Sequence, residues 1–158
     1  MITLKSIYLF IYVIAFSIGI YVKKYNKALL ILIALIGLGL FTEFSANIAH
    51  IIYRKEDVIF IYNFYIPLEY IFYAFFFYYV NENILIKKTI LISLPIYILC
   101  VFILIKYVDS NYDKAFINSI YMLGGTLTIF LSSWTLFIIK PIKKIKFIAH
   151  PLFWFCTG

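Results

Sequence analysis

Apolar residues along this chain fall in blocks about as long as a bilayer core is thick. Five blocks are complete: Leu4–Val22, Ala28–Ile52, Ile59–Val80, Thr89–Val108 and Ala115–Ile139. A sixth begins at Phe147 and stops at Gly158. A hydrocarbon core of about 30 Å takes about 20 apolar residues of helix to cross. Helices are required, because lipid offers no partner to an unpaired backbone group. The two-residue alternation of a barrel strand is absent. Short connections (Lys23–Lys27, Tyr53–Val58, Asn81–Lys88, Asp109–Lys114 and Lys140–Lys146) make successive helices antiparallel neighbours. The pattern predicts an all-α polytopic transmembrane helix bundle, one transmembrane domain over residues 1–158, with five complete spans plus a truncated sixth. Phe147–Gly158 would cover about 18 Å, short of the core. A fragment of a six- to eight-helix protein is therefore expected. Lys23-Lys24 follows the first block where a cleaved signal would place small residues, so that block is read as a retained span.

One span interrupts its apolar run with a polar stripe. In ALLILIALIGLGLFTEFSANIAHII, Glu43, Asn47 and His50 are spaced four and three apart, which puts them on one helical face. Ionisable groups at membrane depth are costly and usually face a bundle interior or a wet cavity. If the second and third helices are symmetric about their turn, Glu43 lies level with Glu69, Asn47 with Asn63, and His50 with Tyr62. Two carboxylates close together in a low dielectric cannot both ionise cheaply. The pair is expected to share a proton, bind a cation or pair with His50. Phase limits this on the third helix, where Glu69 shares a face with Tyr62, Tyr65 and Tyr73, and Asn63 goes with Pro67 and Tyr70. The candidate ligand or proton pocket is Glu43, Asn47, His50, Glu69 and Tyr62. The competing reading is interhelical glue, worth about 1 kcal/mol or less per hydrogen bond.

Other positions carry less chemistry. Pro67 kinks the third helix two residues before Glu69, which suits a pocket. Asn118, Tyr121, Gly125, Thr128 and Ser132 recur at helical spacing in the fifth. They read as packing, with Asn118 and Tyr121 able to reach the same cavity. Tyr78 and Tyr79 suit an interfacial belt. No HExxH or CxxC spacing is present, and His50 and His150 fall on opposite sides of the membrane. No metal site and no cofactor are expected. Cys100 and Cys156 read as small core residues.

Composition agrees with the block pattern: 65% of the 158 residues are hydrophobic and only 13% charged, where soluble domains carry about 25%. Charge then orients the bundle. Lys23, Lys24, Lys27, Lys87, Lys88, Lys140, Lys143, Lys144 and Lys146 lie on one side, and Lys5, Arg54, Lys55, Lys106 and Lys114 on the other. The richer side is expected in the cytoplasm, with the N-terminus outside a bacterial inner membrane. The net charge of +7 is thus a topological signal. No soluble basic domain is present to hold nucleic acid. The KPIKKIKFIAHP segment suits anionic lipid headgroups.

At FTEFSANIAHIIY, YNFYIPLEYIFYAFFFYY and HPLFWFCTG the chain resembles uncharacterised polytopic membrane proteins of Bacteroidetes. That resemblance implies a multi-helix bundle and no assigned activity. The Glu43–Asn47 stretch also resembles a helix of the ceramidase-like intramembrane hydrolases. Those need several more His and an Asp and Ser on other helices, so no catalytic role carries over.

The reading that remains is a sensory or signal-transducing membrane domain, its polar pocket open to a small ligand or protons. The alternatives are an ion or solute carrier and a lipid-modifying intramembrane enzyme. A carrier would show paired broken helices, and here Pro67 and Pro95 are unsupported by any inverted repeat. An enzyme would need a nucleophile–base pair or a metal set, and none assembles. An enzyme is thus the weaker expectation.

Overall fold

The computed structural model describes residues 4–22, 27–52, 57–107 and 118–138. It is all-helical: α1 (Leu4–Val22), α2 (Lys27–Ile52), α3 (Asp57–Val80), α4 (Ile84–Tyr107) and α5 (Asn118–Ile138). Four helices, α2 to α5, are long and apolar enough to cross a membrane, while α1 offers a shorter apolar stretch, Leu9–Tyr21. The block from Phe147 lies outside the described residues.

α3 is the hub. It packs on α2, α4 and α5, and α1 packs on α2. The core is a single cluster at the α3, α4 and α5 meeting, built on Tyr70, Ala74 and Phe77 of α3, on Ile90, Leu94 and Tyr97 of α4, and on Ile120 and Leu131 of α5. Outside it, large apolar side chains such as Phe41, Phe44, Phe102, Met122 and Phe137 stand exposed. So much bare apolar surface is a liability in water and the normal exterior of a bundle in lipid.

Small residues let the helices approach. The buried face of α2 is Leu35, Gly39, Thr42 and Ala46. A Cβ on Gly37 would come within 2.8 Å of the Phe16 ring, so α1 rests on a notch that only glycine leaves open. Two threonine hydroxyls are satisfied within their own helix. Thr42 donates to the Leu38 carbonyl at 2.9 Å, and Thr128 to the Gly124 carbonyl at 2.9 Å.

The expected Asn81–Lys88 connection is shorter, leaving only residues 81–83 outside helix. Asn83 is the reason: its Oδ1 accepts the Leu85 amide at 2.8 Å and caps α4 there. Lys87 and Lys88 consequently ride on the first turns of α4, with the Lys87 Nζ 5.4 Å from the Tyr78 ring centroid. Asn81 closes the other side of the turn. Its Nδ2 donates to the Phe77 carbonyl at 2.9 Å and to the Thr135 Oγ1 at 3.0 Å. Thr135 passes its own proton to the Leu131 carbonyl at 2.8 Å. This buried chain ties the end of α3 to α5.

Candidate functional site

Glu43 and Glu69 are the only carboxylates away from helix ends among the described residues. Glu69 stands near the middle of α3, about 18 Å from either end. Glu43 stands closer to the α2–α3 connection. Both are half-buried.

The structure gives them different partners. The Tyr62 hydroxyl donates across the α2–α3 interface to Glu43 Oε1 at 3.2 Å. The Tyr65 hydroxyl donates along α3 to Glu69, one turn on. The facing carboxylate pair expected from a symmetric turn is not formed. Glu43 meets Tyr62, seven residues before Glu69 on α3, rather than Glu69 itself. The Tyr65 hydroxyl stands 3.7 Å from where a Gly39 Cβ would sit, and the Tyr12 ring of α1 stands 3.1 Å from it. Tyrosine rings slot over the small-residue face of α2, and this packing overrides the even spacing a tight hairpin would impose.

Asn47 is half-buried one turn beyond Glu43, and His50 is exposed near the end of α2. The polar stripe thus runs along the margin of the α2–α3 contact rather than down its centre. Of the five candidate residues, the structure joins Glu43 and Tyr62 and sets Glu69 apart.

Glu69 instead belongs to a cavity of about 430 Å³ between α3 and α5, with Tyr70 and Tyr73 beside it and Tyr121, Gly124 and Thr128 opposite. Helical spacing had put Tyr121, Gly125 and Thr128 on one face, and all three reach this cavity. Asn118 does not line it and is exposed. The two glycines divide the work. A Cβ on Gly124 would meet the Tyr97 hydroxyl at 3.3 Å and the Tyr70 Cβ at 3.4 Å, whereas one on Gly125 would meet nothing within 4 Å. Gly124 is the close-approach residue and Gly125 is cavity wall.

Behind Gly124 stands a group that helical spacing did not single out. Tyr97 is 1% exposed, and its hydroxyl is buried without a hydrogen-bond partner among the described residues. Its ring centroid lies 4.2 Å from that of Tyr70. Tyr70 does find a partner. The Ser93 hydroxyl gives its proton to the Ile90 carbonyl at 3.0 Å, so Tyr70 donates to the Ser93 oxygen at 3.3 Å. Proline 67 shapes the opposite side of α3. It has no amide to offer to the preceding turn of α3, where Asn63 is fully buried. Pro67, Ile71, Tyr97 and Phe102 border a second, apolar cavity of about 330 Å³ between α3 and α4.

Among the described residues no three His, Cys, Asp or Glu side chains gather where they could hold a metal ion. Cys100 is a free thiol, half-buried on α4. Comparison with family models, with characterised proteins and with solved structures gave no match.

Proposed function

We propose that the chain is a sensory or signal-transducing domain of a bacterial inner membrane, of the Bacteroidetes type its aromatic segments resemble. Its site is the intramembrane cavity that Glu69 lines, with Glu43, Tyr62, Asn47 and His50 forming a polar margin on the neighbouring interface. In this reading the N-terminus is outside, α1 is the fifth span and Phe147 opens a sixth. The partners are the bilayer and a small ligand or protons, with no role for nucleic acid.

One observation carries the reading. A carboxylate at the middle of a membrane helix lines a cavity between α3 and α5, and those two helices are tied at one end by the Asn81–Thr135 bond. Filling the cavity separates α3 from α5 at mid-depth. The wedge strains that bond and shifts the 81–83 turn relative to the end of α5. Packed helices respond to such wedges by discrete shifts of about 1–2 Å. A carrier reading draws on Pro67 and Pro95, but each proline stands alone on its helix. A lipid-modifying enzyme lacks a nucleophile beside a base.

The test uses spin labels at Glu82→Cys and Phe137→Cys, with Cys100 and Cys156 replaced by Ala and the protein in lipid nanodiscs. Gly125→Trp fills the cavity from a position with free space around it. The label distance is expected to change by about 1–2 Å, while reconstituted vesicles pass no more protons or ions than empty ones. An unchanged distance would remove the sensory reading. Proton or ion flux abolished by Glu69→Gln would replace it with a carrier.

A further inference from the structure

We propose that the α3/α5 cavity binds a small lipophilic organic cation, with Glu69 as counter-charge and Tyr70, Tyr73 and Tyr121 as its aromatic wall. This deepens the reading above and rests on it for the site, but it makes a separate claim about the ligand.

Charge comes first. The cavity holds one carboxylate, and the described lysines (Lys5, Lys27, Lys87, Lys88 and Lys106) and His50 lie toward helix ends, away from mid-depth. An anion would meet only repulsion there. A bare metal ion would find a single carboxylate where it needs several oxygen ligands. An organic ammonium needs one counter-charge and aromatic neighbours, since ring quadrupoles attract a cation most strongly where water is excluded. Three tyrosines around Glu69 meet that requirement.

Size and lining follow. About 430 Å³ lies within the range of small-molecule sites. Ile66, Met122 and Ile129 complete the wall with apolar surface, which suits a hydrocarbon body attached to the charge. Access is lateral: Tyr121 is 55% and Met122 70% exposed on the lipid-facing side, so a ligand dissolved in the bilayer can enter. The Tyr97 hydroxyl supplies an independent sign. Buried polar atoms are almost always paired, yet this one is unpaired and is separated from the cavity only by a glycine. Its oxygen dipole adds to the negative potential that a cation would meet.

The test is calorimetric titration of the whole protein in lipid nanodiscs with benzyltrimethylammonium. Its neutral isostere neopentylbenzene and the anion phenylacetate serve as comparators. Benzyltrimethylammonium is expected to bind about tenfold or more tightly than neopentylbenzene, with phenylacetate silent. Glu69→Gln should erase the tenfold preference. If that variant fails to fold, Tyr121→Leu keeps the carboxylate and should weaken benzyltrimethylammonium several-fold while leaving neopentylbenzene unchanged. No binding of the cation, equal binding of the isostere, or a preference that survives in folded Glu69→Gln would overturn the proposal. The same samples carry the Glu82/Phe137 spin labels. Cation binding without a distance change overturns the sensory reading and leaves the ligand class standing. A distance change on cavity filling with no cation binding does the reverse.

Discussion

Tyr62 and Tyr65, one turn apart on α3, hold two carboxylates in different ways. Tyr62 bridges two helices to reach Glu43, so its bond contributes to α2–α3 association. Tyr65 serves Glu69 from within the same helix, which keeps Glu69 in place without closing the cavity. Tyr62→Phe should therefore cost about 1 kcal/mol or less in detergent thermal melts. Glu43→Gln preserves an acceptor and should be milder than Glu43→Leu, which leaves the Tyr62 hydroxyl without one. Equal losses for Gln and Leu would show that the bond contributes nothing. The adjacent glycines give a second residue-scale prediction. Gly124→Ala needs the Tyr97 hydroxyl to give by a few tenths of an ångström and should leave the protein less stable than Gly125→Ala does. Gly125→Ala has free space and should be neutral or gain up to about 1 kcal/mol from helix propensity. The Tyr65–Glu69 contact was legible in the spacing, since residues four apart share a face. Tyr97 was not. It is one aromatic among many, and only the packing of a third helix leaves its hydroxyl unpaired.

At the scale of elements, the helices themselves were readable because lipid-length apolar blocks leave little else to form. Their register was not. Equal distance from a turn would set Glu43 beside Glu69, whereas Glu43 meets Tyr62. Tyrosines that seat over Gly39 and the small face of α2 decide the pairing. The start of α4 shows the same limit: basic residues after Asn83 resemble a loop by composition, and a single cap makes them helix. Asn81 and Thr135 lie far apart in the chain and share no motif, so their bond appears only once α5 packs on α3. It is buried, and each group keeps one further bond, Asn81 to the Phe77 carbonyl and Thr135 to the Leu131 carbonyl, when the other is removed. Asn81→Ala and Thr135→Val should each destabilise by about 0.5–1.5 kcal/mol. Their double mutant should fall short of the sum by 0.5 kcal/mol or more, roughly the coupling seen for contacting residues. Additive losses would mean that α3 and α5 are not coupled through this bond.

The whole molecule is organised around α3, which meets three of its four companions and carries both proline and carboxylate at mid-depth. Depth and helical phase grouped Glu69 with the α2 stripe, whereas the cavity it lines is shared with α5. Cavities lie between non-consecutive elements, and helical phase on one span does not say which other span it faces. The proposed orientation rests on the basic residues and is tested in intact cells. Glu82→Cys should resist a membrane-impermeant maleimide and Ser110→Cys should react, each in a background without Cys100 and Cys156. The reverse pattern would invert the bundle.

The central claim is that Glu69 lines an occupied-and-emptied cavity whereas Glu43 is held in a helix contact. Lipid-soluble carbodiimides form adducts with carboxylic acids inside a bilayer, and mass spectrometry assigns each adduct to its residue. With the protein in nanodiscs, benzyltrimethylammonium should slow adduct formation at Glu69 and leave the rate at Glu43 unchanged. Labelling of Glu69 at the same rate with and without the cation, or no labelling of Glu69 while Glu43 reacts, would contradict the account.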